Sequence, residues 1–248
     1  MNRLVIGLTT IPSRFDRLNV VLDSLHNQTR KPDKIYLYVA DYYERFQLKT
    51  DFGLLPGFLQ NYNLLDVKHG KDYGPISKLF VSLQNELDED TVIVTCDDDM
   101  IYEQEWLSKL EENYDRLHGS AVGYRGRVFG KTLRYAHTGA VVSNGVSKDT
   151  CVDIVTALRG WAYKRGFFED KYIREWERVK VEHPYIFFND DIWISGNLKK
   201  KNINKIVFSG PINSLTQRLR DSLIESSRQK YKTNMHIKLF EQYWRGHA

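Results

Sequence analysis

The sequence predicts an α/β domain: an open, mostly parallel sheet flanked by helices, followed by a helical C-terminal extension. Three observations carry this. Apolar, β-branched or aromatic runs alternate with segments of helical period over the first 118 residues. The runs "RLVIGLTTI", "KIYLYVA" and "TVIVT" are apolar throughout, as strands buried on both faces of a parallel sheet are. The length of 248 residues, 42% of them hydrophobic, suits one such domain with a sizeable core.

The elements follow in order. Residues 3–11 form the first strand, which Pro12 stops. "SRFDRLNVVLDSLHNQ" reads as a helix, capped by Ser13, with Leu18, Val21, Leu22 and Leu25 along one stripe. "KPDKIYLYVA" is the second strand, ending near Asp41, and "NLLDVKHG" is a short third. After the turn "DYGP", the helix "ISKLFVSLQNEL" leads to "TVIVTCDDD", the most strongly β-branched strand. "EQEWLSKLEENYDRL" is helical, with Trp106, Leu107, Leu110, Tyr114 and Leu117 on one side. Short Gly-punctuated strands follow in "AVGYRGRVFG" and "RYAHTGAVVSNG". Residues 215–245 read as helical, with Leu215, Leu219, Leu223, Met235, Leu239 and Tyr243 along a side. The expected boundaries are a domain over 1–210 and an extension over 211–248.

Charge is distributed unevenly. Residues 199–248 hold 11 Lys or Arg against 3 Asp or Glu, a balance of +8, whereas the whole chain carries +4. A basic tail implies either an acidic partner, an anionic membrane face above all, or a solvated helix packed on the domain. No apolar run approaches the roughly 18 residues of a membrane span, and the N-terminus lacks the pattern of a signal peptide. Two unpaired cysteines, Cys96 and Cys151, argue for a reducing compartment. A cytoplasmic location is expected, with peripheral contact to the inner face of a membrane through the tail.

Three consecutive carboxylates, Asp97, Asp98 and Asp99, end the most β-branched strand. Side chains alternate along a strand, so Asp97 and Asp99 face one way and Asp98 the other. Like charges this close repel by about 1 kcal/mol in water at ~4 Å, and more where water is excluded. A hard divalent cation, Mn²⁺ or Mg²⁺, would compensate them, taking one or two carboxylates plus water and substrate phosphates. The plain alternative is a solvated acidic loop.

"TCDDDMIY" on the fourth major strand, with "LTTIPSR", "YLYVADYYERF" and "DYGPISKL" before it, resembles a nucleotide-sugar-dependent glycosyltransferase. The resemblance is to the family 2-like enzymes with the GT-A fold, over roughly residues 3–197. It implies that Thr9, Thr10 and Ile11 lie against the nucleobase and ribose, with Arg14 near the base or phosphates. Asp41 would read the base edge, and Asp72 and Lys78 would line the nucleotide pocket. Asp97 would face ribose or donor sugar, and Asp99, with Asp97, would hold the metal; Asp98 would stand among the donor-binding residues, its contact there left open. Each has a plainer role: a surface ion pair for Arg14, a turn for Asp41, solvent exposure for Lys78.

The resemblance also implies that "FFNDDIW" supplies the chemistry, with Asp191 as the base that deprotonates an acceptor hydroxyl and Asp190 orienting it or touching the acceptor. Asp190 stands where relatives commonly have Glu. The same residues also read as the capped start of a helix. "VDIVTALRGWAYKRGFF" resembles the acceptor-side segment. There Gly160 would let backbone approach a sugar, and Trp161 and Tyr163 would offer flat faces to it or else be core. His137, His183 and His236 are candidates to complete a metal site. The implied partners are a UDP- or GDP-linked sugar donor and a glycan or lipid-linked acceptor; no nucleic acid is expected.

Two other enzymes fit less well. A nucleotidyltransferase of sugar phosphates shares the sheet but carries a Gly-rich loop where this chain has "TTIPSR". A phosphatase with paired aspartates places them on its first strand. A non-enzymatic polyanion- or membrane-binding module would use the basic tail but leaves both acidic clusters unexplained.

Overall fold

The computed structural model describes residues 2–210, 215–216 and 229–244. Its strands are β1 (Leu4–Thr9), β2 (Lys34–Ala40), β3 (Leu65–Gly70), β4 (Val92–Thr95), β5 (Ala121–Gly123), β6 (Arg125–Phe129), β7 (Thr138–Val142), β8 (Thr150–Cys151), β9 (Ile154–Val155), β10 (Trp161–Lys164) and β11 (Lys205–Val207). The longer helices are α1 (Leu18–His26), α2 (Ser77–Asn85), α3 (Trp106–Arg116), α4 (Tyr172–Glu182), α5 (Asp190–Lys200) and α6 (Gln229–Leu239).

Eight strands form the central sheet in the order β8-β11-β5-β10-β4-β1-β2-β3. The run from β4 to β3 is parallel throughout, and β10 enters antiparallel between β4 and β5. Register aligns Leu4–Gly7 with Val92–Thr95 and Val5–Thr9 with Lys34–Tyr38. The carboxyl ends of β1, β2 and β4 therefore open onto one edge, the place where open α/β sheets bind ligands. A second sheet, β7-β6-β9, is wholly antiparallel.

Alternation along the strands divides the core in two. Ile6, Leu37 and Val94 face α1 and α3, meeting Leu22, Leu25, Trp106 and Leu110. Their neighbours Val5, Tyr36 and Ile93 belong to the other cluster, with Leu79, Phe80, Trp176 and Trp193. Each fully buried aliphatic side chain here contributes about 1.5–3 kcal/mol. Both faces being covered is the reason the strands read as unbroken apolar runs.

Two sequence expectations are corrected. The first helix does not start at Ser13: Pro12–Arg17 is a 3-10 turn with Pro in its first positions, Ser13 does not cap it, and α1 begins at Leu18. Residues 215–245 are not one helix. Leu215–Thr216 pairs as a strand with Met100–Ile101, α6 starts at Gln229, and a further turn spans Glu241–Trp244. Leu219 and Leu223 lie outside the described residues. The buried side of this segment is His236, Ile237, Phe240 and Trp244, while Met235 is exposed. Phe240 stacks edge-on against Trp193, and Trp244 against Phe129, so residues 234–244 are part of the domain's packing.

Candidate active site

The end of β1 is fixed before it meets the acidic residues. Tyr43 Oη donates to the Thr10 carbonyl at 2.7 Å and accepts from the Ala40 N–H at 3.2 Å, clamping the ends of β1 and β2 together. Thr9 Oγ1 donates to the Tyr38 carbonyl. Asp72, buried, accepts from the Glu44 and Gly74 backbone N–H groups at 2.9 and 2.8 Å and so holds two loops at the rim. Burial pushes its carboxyl up, against the pull of those two hydrogen bonds.

The aspartate triplet lies beyond the end of β4, with Asp98 and Asp99 in a turn, so strand alternation does not set its split. Asp98 turns toward β1, where Thr10 Oγ1 donates to it at 2.7 Å and Arg14 forms an ion pair with it. Arg14 Nη2 also lies 3.9 Å from Asp99 Oδ2. Asp97 turns the other way, its Oδ1 2.8 Å from Lys78 Nζ. The turn itself is set by Tyr102, whose hydroxyl bonds both the N–H and the carbonyl of Asp97. Burial, then Asp97 and Asp98, push the Asp99 carboxyl up to about 6.

Lys78 links this triplet to the second acidic pair. It is carried on the first turn of α2, which presses onto β1 so closely that a Cβ at Gly7 would lie 1.8 Å from the Lys78 carbonyl. Its Nζ is 3.0 Å from Asp190 Oδ2, an ion pair without hydrogen-bond geometry. Burial opposes the Lys78 charge, yet Asp190, Asp97 and Asp191 outweigh it and hold the amine protonated well above its usual range. Asp190 and Asp191 open α5, behind Asn189. Asp191 Oδ1 accepts from the Ala157 N–H at 3.0 Å, and Ser195 Oγ accepts from the Val155 N–H, lacing α5 to β9. Removal from water and the neighbouring Asp190 charge push Asp191 well above the carboxylate range, against Lys78 and the Ala157 N–H.

These groups line one cleft of about 370 Å³, within the range of small-ligand sites. Thr9, Thr10, Ile11, Arg14, Asp72, Lys78, Asp97, Asp98, Asp99, Asp190 and Asp191 all border it. Residues that the sequence did not single out help complete it, among them Arg45, Arg125, Arg127, Tyr135 and Thr156–Leu158. The paired arginines "RGR" on an alternating strand were the available signal, since residues i and i+2 share a face.

Four expected site residues and the histidines stand elsewhere. Asp41 is exposed, paired with His69 at 2.8 Å, and does not border the cleft. Trp161 and Tyr163 are fully buried in β10, in the middle of the sheet, with no face for a sugar. Trp161 rests over Gly123 and donates through Nε1 to the carbonyls of Arg125 and Thr156 at 2.7 and 3.1 Å. Gly160, at φ +97°, is close to Trp106, whose ring a Cβ would meet at 2.4 Å; core packing, not ligand approach, requires glycine. His137, His183 and His236 do not border the cleft, and His236 is on the buried side of α6.

Among the described residues, no group of three or more His, Cys, Asp or Glu side chains is arranged to hold a metal by itself. The carboxylate oxygens of Asp97 and Asp99 are nonetheless the hard donors that Mg²⁺ or Mn²⁺ takes, and Asp99 is pushed up by burial first and then by the charges of Asp97 and Asp98, which a cation would offset. The donor set fits a cation that draws its remaining ligands from substrate and water.

No family model and no curated protein matches this sequence. Solved structures do. Staphylococcus aureus TarS in complex with UDP superposes with a TM-score of 0.56 at 16% identity, covering 96% of this chain and 65% of that one. TarS in complex with UDP-GlcNAc gives 0.55 at 14%, covering 92% and 61%. This chain thus spans less than two thirds of the TarS chains. The 2-C-methyl-D-erythritol 4-phosphate cytidylyltransferase of Francisella tularensis gives 0.50 at 13%, covering 95% and 100%. At these identities the likeness shows the fold, and it is the GT-A-like α/β fold that the sequence predicts.

Proposed function

We propose that the chain is a metal-dependent glycosyltransferase. It moves a sugar from a UDP- or GDP-linked donor to a hydroxyl of a glycan or lipid-linked acceptor, with inversion. The observation that carries this reading is the meeting of both acidic clusters, the triplet and Asp190–Asp191, around Lys78 in one cleft at the carboxyl edge of the sheet. Neither a solvated acidic loop nor a simple helix cap accounts for Asp97, Asp190 and Asp191 converging on a buried lysine. The TarS structures, whose fold the chain shares, are complexes with UDP and UDP-GlcNAc.

In this reading Thr9, Thr10, Ile11 and Arg14 contact the nucleoside, Asp72 and Lys78 shape its pocket, and Asp97 faces ribose or sugar. Asp98 is spent on Thr10 and Arg14. Asp99 and Asp97 would hold Mn²⁺ or Mg²⁺, whose contribution is Lewis-acid neutralisation of the leaving diphosphate. Asp191 accepts the acceptor hydroxyl proton. Its raised pKa makes the ionised form a stronger base than an ordinary carboxylate, and Lys78 opposes its premature protonation. The basic C-terminal segment is assigned a peripheral contact with an anionic bilayer face in the cytoplasm. No helix among the described residues is long and apolar enough to cross a membrane.

A thermal-shift screen of UDP- and GDP-sugars with and without Mn²⁺ tests the proposal, because a bound ligand raises stability by mass action. Metal-dependent stabilisation that disappears in Asp99→Asn is expected. No shift with any nucleotide sugar, or an equal shift in that variant, defeats it. The second reading, a nucleotidyltransferase, draws on the likeness to the cytidylyltransferase over that enzyme's whole length. Pyrophosphate release from a nucleoside triphosphate and a sugar phosphate would select it.

A further inference from the structure

The cleft has a wall to which the proposed donor contacts assign no role. Arg125 and Arg127 sit on β6, two residues apart and so on one face of the strand. Both line the cleft. Arg127 is held rigidly: Nε and Nη2 donate to Thr138 Oγ1 and to the Thr138 carbonyl, and its guanidinium lies over the Tyr135 ring at 4.9 Å. Nη1 makes no hydrogen bond among the described residues. The Arg125 side chain has neither a hydrogen bond nor an ion pair among them, although its Nε is out of reach of water. Arg159, held at φ 109°, lies close enough to add repulsion. Three guanidinium groups thus crowd together, and among the described residues no carboxylate stands at ion-pair distance from Arg125 or Arg127. Such a crowd is unfavourable until an anion joins it.

The position of this crowd separates it from the donor end. The Arg125 carbonyl accepts from the Thr156 N–H at 3.2 Å, and the next residue, Ala157, donates to Asp191. Asp191 is also the carboxylate whose field acts on both Arg125 and Tyr135. The cations acting on Asp98 and Asp99 are instead Arg14 and, for Asp99, Lys78. Lys78 acts at both ends, whereas Arg14 faces the triplet and Arg125, on a different element, lies in the field of Asp191.

We propose that Arg125 and Arg127 form a subsite for a phosphate group carried by the acceptor, placed beside Asp191. The guanidinium fork matches phosphate oxygens in pairs, and two forks on one strand face suit a dianion. This inference rests on the glycosyltransferase reading for the word acceptor; the anion subsite itself does not.

The test uses the full chain, saturated with UDP and Mn²⁺, titrated with glycerol phosphate and, separately, with glycerol. Saturable binding of glycerol phosphate, roughly tenfold or more tighter than glycerol, is expected. Replacing both Arg125→Gln and Arg127→Gln should abolish that preference and leave UDP affinity unchanged. Should the double variant unfold, Arg125→Lys keeps the charge but not the fork and should retain part of the preference. Failure of glycerol phosphate to bind, or unaltered binding in the double variant, overturns the proposal. A fall in UDP affinity in that variant also overturns it, by assigning the arginines to the donor diphosphate. If wild-type protein ignores UDP yet still prefers glycerol phosphate through these arginines, the anion subsite stands and the glycosyltransferase reading fails.

Discussion

Lys78 and Asp190, each on the first turn of its helix, meet at 3.0 Å in the cleft. A cation at a helix N-terminus is unfavourable, so the carboxylates around it hold it there. Lys78 is 4% exposed, and Asp97 and Asp190 share it. Lys78→Met would leave both with no other cation at ion-pair distance among the described residues. Breaking a buried pair from one side destabilises by about 3–5 kcal/mol, and the loss should appear in urea unfolding at pH 7. Wild-type stability of the variant at pH 7 would mean that the bridge is only a surface contact.

Asp99 makes the ligand-free protein sensitive to pH in a defined direction. Its folded pKa of about 6 lies above the unfolded value near 3.8. The folded state thus binds the proton more tightly, and the stability this confers is complete below about 4 and is lost as pH rises through 6. Urea midpoints between pH 4.5 and 7.5 should fall more steeply for the wild type than for Asp99→Asn. A parallel pair of curves would contradict the assignment.

Asp191→Asn keeps an oxygen able to accept the Ala157 N–H, so the start of α5 should stay in place. It removes the basic electron pair. Turnover of a nucleotide sugar should fall by about 10²–10⁴-fold while nucleotide affinity holds. Calorimetry and a nucleotide-release assay measured side by side separate the two. Loss of affinity with turnover intact would move Asp191 to the donor side.

Trp161 shows where sequence reading and structure part. The strands of the parallel half were legible because burial on both faces leaves an unbroken apolar run. Asp97–Asp99 and Asp190–Asp191 were legible because carboxylates in apolar frames are costly without a purpose. Trp161, Tyr163 and Gly160 were not. An aromatic on a buried strand and one facing a ligand look identical in one dimension, and only the insertion of β10 between β4 and β5 decides. Arg125 and Arg127 were missed for the opposite reason: surface arginines are common, and the cleft they share with Asp191 forms only when β6 and β9 pair. Trp161→Phe should therefore lower stability, by about 1–3 kcal/mol for the buried carbonyls of Arg125 and Thr156 that lose the indole N–H, the former keeping only the Thr156 N–H, and leave nucleotide binding unchanged. Thermal unfolding with and without UDP distinguishes this from a ligand-facing role.

Gly196 tests whether the last described helices belong to the domain. Glycine inside a helix weakens it by about 0.5–1 kcal/mol relative to alanine, so replacement by alanine would ordinarily stabilise α5. Here a Cβ would meet the Phe240 ring at 2.3 Å, and Phe240 is wedged between Trp193 and Trp244. The ring cannot retreat without disturbing both. Gly196→Ala should therefore destabilise, by about 1–3 kcal/mol, the range for overpacking a filled core. Because the Asn234 side chain accepts from the Tyr135 N–H at 2.8 Å, displacing this segment should also loosen the arginine-bearing wall of the cleft. Hydrogen exchange at Tyr135 should accelerate in Gly196→Ala, and Phe240→Ala, which makes room for the new methyl at the expense of a cavity, should show the same acceleration. If Gly196→Ala is instead more stable than wild type and the Tyr135 amide is as protected as before, residues 229–244 are an appendage and the wall stands without them.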